Sequence, residues 1–265
     1  MMGTVYLVGA GPGAPDLLTL RAARLLAEAD IVFHDALVHP ETIALATRAE
    51  LIAVGKRCGA HSTAQRFINK RLIDAAGRHQ VVVRLKGGDP MLFGRAQEEI
   101  DALDAAGIAY EVVPGVTAAL AAGAQLGASL TQRGVARTLA FVTPRIGDEE
   151  TGSDWVSAAV AADTAAIYMG AGQAAAIASA LIAGGKRADT PVAVVRDASL
   201  PHSETRLGVL SELVSLCATD DDGDGATGPA VILIGEAMRA AQVKKAGVAN
   251  DIRADGIDEP LRRVG

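Results

Sequence analysis

The sequence predicts an α/β protein built from two successive α/β domains. Three observations point there. Short apolar, β-branched runs alternate with Ala/Leu-rich helical stretches along the chain. Several of those runs end in a Gly, Pro or charged turn, as strands of an open sheet do at a ligand-bearing rim. Glycine accounts for 29 of 265 residues and aromatic side chains for only 3%, which suits a core packed from Ala, Val and Leu.

The first strand is expected at Val5–Val8, running into Gly9-Ala10-Gly11-Pro12-Gly13-Ala14-Pro15-Asp16. Thr19 then caps or opens a helix from Leu20 to Ala29. The glycine loop is no dinucleotide fingerprint, because Pro12 interrupts it and Ala14 replaces the third glycine. No Gly-Lys-Ser/Thr follows, so it is no Walker A loop either. Its prolines remove amide donors, which favours an uncharged or cationic ligand over a phosphate. Ile31–Phe33 is a second strand, ending at His34-Asp35. An aspartate there faces a cleft or caps the next helix, and the local sequence allows both. Leu51–Val54 is a third strand, followed by Gly55-Lys56-Arg57. A helix spans residues 62–77, with Gln65 and Asn69 four apart and therefore on one face.

The stretch from Val81 to Ala118 organises the rest. Val81–Leu85 reads as a buried strand, and Gly87-Gly88-Asp89-Pro90 is a sharp turn where bare backbone can face a ligand. Ala96–Ala106 is a helix ended by Gly107, Tyr110–Val113 is a strand, and Pro114-Gly115 breaks it. A mostly parallel sheet with functional groups on one rim follows.

The second unit opens with a small-residue helix, Thr117–Gly127, and a Leu130–Gly134 loop. Leu139–Thr143 is a strand, Ile146–Asp154 a polar loop, and Ala165–Met169 a strand ending at Gly170. A helix at Ala174–Ala183 stops at Gly184-Gly185, and Val192–Val195 is a strand. Arg196–Arg206 reads as a loop, a helix falls near Leu210–Cys217, and Asp220–Gly225 is an acidic surface loop. Val231–Ile234 is the last strand, and the pattern dissolves after residue 243. The expected domains are residues 1–116 and 117–243, with a polar tail at 244–265. No internal repeat is visible.

A hydrophobic share of 50% excludes a disordered chain, and a net charge of −6 gives no nucleic-acid footprint. Cys58 and Cys217 are too few for a disulfide framework or a zinc site, so no metal is expected. No leader with a basic n-region and apolar core opens the sequence, and no apolar run reaches the ~18 residues of a membrane span. A cytoplasmic protein without a membrane partner is the expectation.

The pieces VYLVGAGPGAPDLLTLRA, ADIVFHDALV, AVGKR, VVRLKGGDPMLFGR with the following Glu98-Glu99, EVVPGVTAA and IYMG stand in order from residue 5 to 170. Together they resemble the uroporphyrinogen-III C-methyltransferase family, within the class III S-adenosylmethionine-dependent tetrapyrrole methylases. The resemblance covers roughly Thr4 to Gly235. It implies two α/β domains with the active site in the cleft between them, a homodimer, and S-adenosylmethionine as methyl donor. It further implies a tetrapyrrole as small-molecule substrate, methylated twice by way of precorrin-1 to precorrin-2 in sirohaem or cobalamin biosynthesis.

Carried over by position, the resemblance implies cofactor contacts at Pro12, Gly87, Gly88, Asp89, Leu92, Thr117, Ala118, Met169 and Ala198. Asp89 would accept from ribose hydroxyls or from the amino group. Asp35 matches the family's general base and Lys56 its proton donor. The eight carboxylates of the substrate call for cations near the motifs, with Arg57, Arg84, Lys86, Arg95 and Arg133 as candidates. No dehydrogenase–chelatase module is legible, so methylation alone is expected.

The chain departs from the family pattern at Ala14, Ala96-Gln97, Gln132, Thr143-Pro144-Arg145 and Asp197–Arg206. Most of these departures lie toward the substrate side. Two alternatives therefore stand beside the main reading: a later precorrin C-methyltransferase, and an idle member that only binds tetrapyrrole or cofactor. A dehydrogenase reading rests on the N-terminal glycines alone.

Overall fold

A computed structural model describes residues 2–54, 65–146, 152–218 and 228–243. Lys56, Arg57, the acidic run at 220–225 and the polar tail at 244–265 lie outside the described residues, as do the first three residues of the helix expected from 62. The chain divides into two compact units. One comprises Met1–Ala122 with Asp197–Glu204, the other Gly123–Arg196 with Thr205–Gly265.

The first unit carries strands β1 (Thr4–Gly9), β2 (Ile31–His34), β3 (Glu50–Ala53), β4 (Val81–Lys86) and β5 (Tyr110–Val113). Their spatial order is β3-β2-β4-β1-β5. The pairs β1–β4, β1–β5, β2–β3 and β2–β4 are all parallel. The register sets Gly9 opposite Lys86, Val8 opposite Val113 and His34 opposite Leu85, so the carboxyl ends line up along one edge.

Helices α1 (Leu20–Glu28), α3 (Gln65–Ala76) and α4 (Ala96–Ala105) connect these strands, with a single turn α2 (Pro40–Ile43) after β2. Thr19 Oγ1 accepts from the Ala22 amide and starts α1. Side-chain alternation along the strands divides the core between two faces. Val5, Leu7, Phe33 and Val82 pack with Ile68 and Leu72 of α3 and Ile100 and Leu103 of α4. Val8, Val32, Val83 and Leu85 pack with Leu25 and Leu26 of α1. A parallel sheet covered on both faces needs strands apolar on both faces, and β1 and β4 are buried along almost their whole length.

The second unit carries α5 (Ala118–Leu126, which begins in the first unit), β6 (Leu139–Val142), α6 (Trp155–Ala161), β7 (Thr164–Tyr168), α7 (Ala174–Ala183), β8 (Pro191–Arg196), β9 (Glu204–Val209), α8 (Leu213–Cys217) and β10 (Ala230–Gly235). The sheet order is β6-β7-β10-β8-β9. Here β6 pairs parallel with β7, while β10 runs antiparallel to both β7 and β8. Ile167, Ile177, Leu181, Val192, Val194, Leu210, Leu213 and Ile232 form one cluster in its core.

Besides the single turn α2, two elements escape sequence reading. Helix α6 is only two turns long, and the expected polar loop supplies its cap, Asp154 Oδ1 accepting from Ser157 N at 3.0 Å. Strand β9 occupies part of the expected loop. It stands at the sheet edge and buries none of its residues fully, so it carries no apolar run to mark it.

Each sheet has an aspartate just before a strand that ties down the start of its neighbour. Asp30 Oδ2 accepts from the amides of Gln80 (3.0 Å) and Val81 (2.9 Å). Asp163 Oδ2 accepts from the amides of Arg137 (2.8 Å) and Thr138 (2.9 Å) and from the Thr138 hydroxyl. The Val81 amide chiefly holds the Asp30 carboxyl below its ordinary value, and the Arg137 amide does so for Asp163. A depressed carboxylate contributes stability that is complete above its unfolded value, 3.8, and is lost as pH falls through the lower folded value. Asp30→Asn and Asp163→Asn together are therefore expected to shrink the drop in melting temperature between about pH 6 and about pH 3. An unchanged drop would mean that other groups carry the acid response.

Candidate active site

The aligned carboxyl ends deliver four turns to one rim of the first unit: Ala10–Gly13 after β1, Asp35 after β2, Gly87–Asp89 after β4 and Pro114-Gly115 after β5. Backbone alone joins three of them. Gly11 and Gly88 form an antiparallel bridge, with the Gly88 amide donating to Gly11 O at 2.7 Å and the Gly11 amide to Gly88 O at 3.2 Å. A Cβ on Gly9 would lie 2.7 Å from both Gly115 Cα and Gly88 O. One on Gly115 would overlap the Gly88 carbonyl oxygen itself. Only glycine permits this approach. Gly88 also has φ 69°.

Asp89 locks the arrangement. Its Oδ1 accepts from the Met91 amide at 2.8 Å and its Oδ2 from the Gly115 amide at 2.9 Å, so one carboxylate braces the β4 turn against the β5 turn. Gly115→Ala is expected to cost about 1–3 kcal/mol, as an overpacked site does. Because the clash is backbone against backbone, calorimetry should show weakened binding of S-adenosylhomocysteine as well. Unaltered binding would show that the rim tolerates a shifted turn.

Asp35 is not a helix cap. The next helix, α2, takes His39 as its N-cap. The Asp35 amide donates to Leu85 O at 3.3 Å, and its Oδ1 accepts from Arg84 Nη2 at 2.6 Å. Its side chain is 29% exposed. Among the described residues, Oδ2 has no partner.

Behind Asp35 lies a buried ion cluster. Alternation along β4 sets Val82, Arg84 and Lys86 on one face, the face covered by α3 and α4. Arg84 Nε donates to Glu99 Oε1 at 3.0 Å, and Lys86 Nζ to Glu99 Oε2 at 2.9 Å. Arg84 and Lys86 are 3% exposed and Glu99 is fully buried. Gln65 Nε2 donates to Glu99 Oε1 (3.1 Å) and to Asn69 Oδ1 (3.0 Å), so the amide pair expected on one helix face braces α3 against α4. A Cβ on Gly94 would come within 3.1 Å of Lys86 Cε, so glycine there clears the path of the lysine stem.

Burial pulls the Arg84 guanidinium down, but Asp35 and Glu99 more than offset this and hold it above its ordinary value. Burial also lowers Lys86, the charge of Arg84 adds to the effect, and Glu99 offsets only part of it. The expectation that Arg84 and Lys86 face a polyanion is therefore corrected. Both are committed inside the protein, because β4 is an interior strand whose cations must find partners within the fold. Arg95 is exposed and pairs with Glu98, Nε to Oε1 at 2.6 Å. Arg133 is exposed on the second unit.

Of the other expected positions, Pro12, Gly87, Gly88, Asp89, Leu92, Thr117, Ala118 and Ala198 all belong to the first unit. Thr117 Cα lies 4.0 Å from where a Gly88 Cβ would stand. Ala198 comes with the segment that returns to the first unit, where Ser199 Oγ accepts from the Ala14 amide at 3.0 Å. Met169 belongs to the second unit. Lys56 lies outside the described residues.

Among the described residues, five non-glycine residues have positive φ: Phe93 (53°), Arg95 (55°), Met169 (55°), Asp197 (46°) and Ser199 (76°). One is itself an expected cofactor position, one follows Leu92, and two flank Ala198. Each costs on the order of 1 kcal/mol, and such strain collects at functional sites. Glu99 is what sequence reasoning missed. It stands in the Glu98-Glu99 pair quoted for the resemblance, and its alignment with α4's buried Ile100 and Leu103 was the available signal.

Residues 4–214 match the model of the tetrapyrrole (corrin/porphyrin) methylases. The chain belongs to the tetrapyrrole methylase family. Its sequence is 46% identical over 241 residues to siroheme synthase 1 of Klebsiella pneumoniae, covering 91% of this chain and 50% of that protein. The chain thus spans about half the length of the curated relatives it matches. Among solved structures it is similar to uroporphyrin-III C-methyl transferase from Thermus thermophilus complexed with S-adenyl homocysteine. The TM-score is 0.77 and the identity 39%, covering 89% of this chain and 99% of that one. Cobalt precorrin-4 methyltransferase is also similar, with a TM-score of 0.75 and 28% identity over 89% and 95% of the two chains.

Proposed function

We propose that this chain is an S-adenosylmethionine-dependent C-methyltransferase that methylates uroporphyrinogen III twice, by way of precorrin-1 to precorrin-2, in siroheme or cobalamin biosynthesis. The observation that carries the reading is the placement of Asp35, partly exposed, at the end of β2 on the same sheet rim as the bare glycine backbone of Gly11 and Gly88. The higher identity to a uroporphyrin-III methyl transferase (39%) than to a cobalt precorrin-4 methyltransferase (28%) supports the choice of acceptor.

The rim suits an adenosyl group. Gly87 is exposed, Gly88 has the left-handed backbone only glycine adopts freely, and neither puts a side chain in the way. Pro12, Gly87, Gly88, Asp89, Leu92, Thr117, Ala118, Met169 and Ala198 would hold the cofactor. Asp89 does so indirectly, by keeping the two turns together. Met169, 44% exposed, offers an adaptable apolar contact.

When bound, S-adenosylmethionine supplies an electrophilic methyl group on its sulfonium. The chain then has two tasks, alignment of the acceptor carbon and removal of a proton. Asp35 Oδ2 accepts the proton that the tetrapyrrole gives up as its carbon gains the methyl group. Lys56 remains the proposed proton donor on the strength of the resemblance. A homodimer and a cytoplasmic location complete the reading, and sedimentation of the purified protein tests the first. Among the described residues, no helix is long and apolar enough to cross a membrane.

The deciding assay is anaerobic turnover with uroporphyrinogen III and methyl-labelled S-adenosylmethionine, with products resolved by mass. Two added methyl groups are expected. Binding of S-adenosylhomocysteine without transfer to uroporphyrinogen III would overturn the acceptor and favour a later precorrin or a non-catalytic role.

A further inference from the structure

The Arg84 side chain is held at every nitrogen. Nε donates to Glu99 Oε1, Nη2 to Asp35 Oδ1, and Nη1 to the carbonyl oxygens of Leu85 (3.2 Å) and Phe33 (3.5 Å). It is 3% exposed, and its anchor Glu99 is itself fixed by Lys86 and Gln65. A planar guanidinium bound along two of its edges cannot rotate without breaking several charge-assisted bonds. Asp35, by contrast, reaches solvent on one side and has only its Oδ1 secured.

Stability alone does not explain the cluster. Two buried cations and two carboxylates carry large desolvation penalties, and apolar side chains of similar volume usually serve a core as well or better. What the cluster supplies that apolar side chains would not is direction. Among the described residues, its one side-chain outlet toward the rim is the Arg84–Asp35 contact. Main chain and side chain of Asp35 are both tied to β4, at Leu85 O and at Arg84.

We infer that Arg84, clamped by Glu99, is a positioning residue that aims the Asp35 carboxylate. This rests on the reading of Asp35 as the base. A lysine at position 84 keeps the charge but cannot span Glu99 and Asp35 with a fixed fork. Glu99 contributes by setting the plane of that fork, and it touches neither substrate nor cofactor.

The test measures kcat, KM for the methyl donor, S-adenosylhomocysteine affinity by calorimetry and melting temperature. Four proteins are compared: the unaltered chain, Arg84→Lys, Asp35→Asn and Leu181→Ala. Leu181→Ala lowers stability from the core of the other unit and serves as the control. Arg84→Lys is expected to lose roughly 10–100-fold in kcat, the cost of a misplaced group, with KM and affinity within about twofold of the unaltered chain. Leu181→Ala should lose melting temperature but keep kcat per folded molecule. An Arg84→Lys protein with unaltered kcat beside an inactive Asp35→Asn overturns the inference and leaves the catalytic reading standing. An active Asp35→Asn overturns both. Should Arg84→Lys fail to fold, Glu99→Asp replaces it, drawing the carboxylate back by one methylene. The same split between kcat and affinity is then expected, and an unaltered kcat refutes the positioning role.

Discussion

Asp35→Asn is expected to lower turnover by about 10²–10⁴-fold, the usual contribution of a positioned acid or base. Binding of S-adenosylhomocysteine and the melting temperature should stay near those of the unaltered protein. The substitution is nearly isosteric. The amide oxygen can still accept from Arg84 Nη2, and the new NH₂ group sits where the side chain already reaches water, so no buried donor is stranded. What disappears is the capacity to take a proton. Full turnover in the labelled-methyl assay would remove Asp35 from the mechanism. Loss of S-adenosylhomocysteine binding along with turnover would instead mean that the residue shapes the rim.

Glu99→Ala should cost about 3–5 kcal/mol of stability, because it leaves two buried cations without their shared anion. For a chain of this size the melting temperature would fall by on the order of 10 °C. Gln65 loses an acceptor at the same time, which loosens α3 against α4. Combining Glu99→Leu with Arg84→Leu and Lys86→Met removes the three buried charges and leaves only Asp35, which reaches solvent. That triple variant is expected to recover most of the lost stability while remaining deficient in turnover. A single variant that melts within about 1 kcal/mol of the unaltered protein would show water reaching the cluster.

These two outcomes separate the chemistry from its support. If both are obtained, Asp35 acts on the reacting system without being needed for folding. Glu99 would then matter to folding as the shared anion of Arg84 and Lys86, and to the chemistry through Arg84. The melting and turnover measurements should therefore move in opposite proportions for the two residues.

Much of the first unit was legible because its signals are local. Val5–Val8, Ile31–Phe33 and Val81–Leu85 are runs that only a buried strand accommodates, and each came within two residues of the observed element. Gly87-Gly88 and Pro114-Gly115 marked two turns, and Gln65 with Asn69 marked a face. Helix α6 and strand β9 were not legible, being too short or too near an edge to show a period. For the site, the positions quoted for the family resemblance fall mostly in one unit, with Met169 in the other.

By itself the sequence determined the α/β class, the strands that end in functional turns, and the family to which the chain belongs. The first two follow from side-chain periodicity and backbone preference, which act over a few residues, and the family from the ordered motifs that carry the resemblance. Only the tertiary structure decided what the charges do. Strand order places β4 between β2 and β1, covered on both faces, so Arg84 and Lys86 are desolvated and must be neutralised from within. Their partners come from α4 and from the end of β2, 49 residues away from Arg84 in the case of Asp35. A buried charge is satisfied by whichever counter-charge the fold brings to it, and no local pattern records that choice.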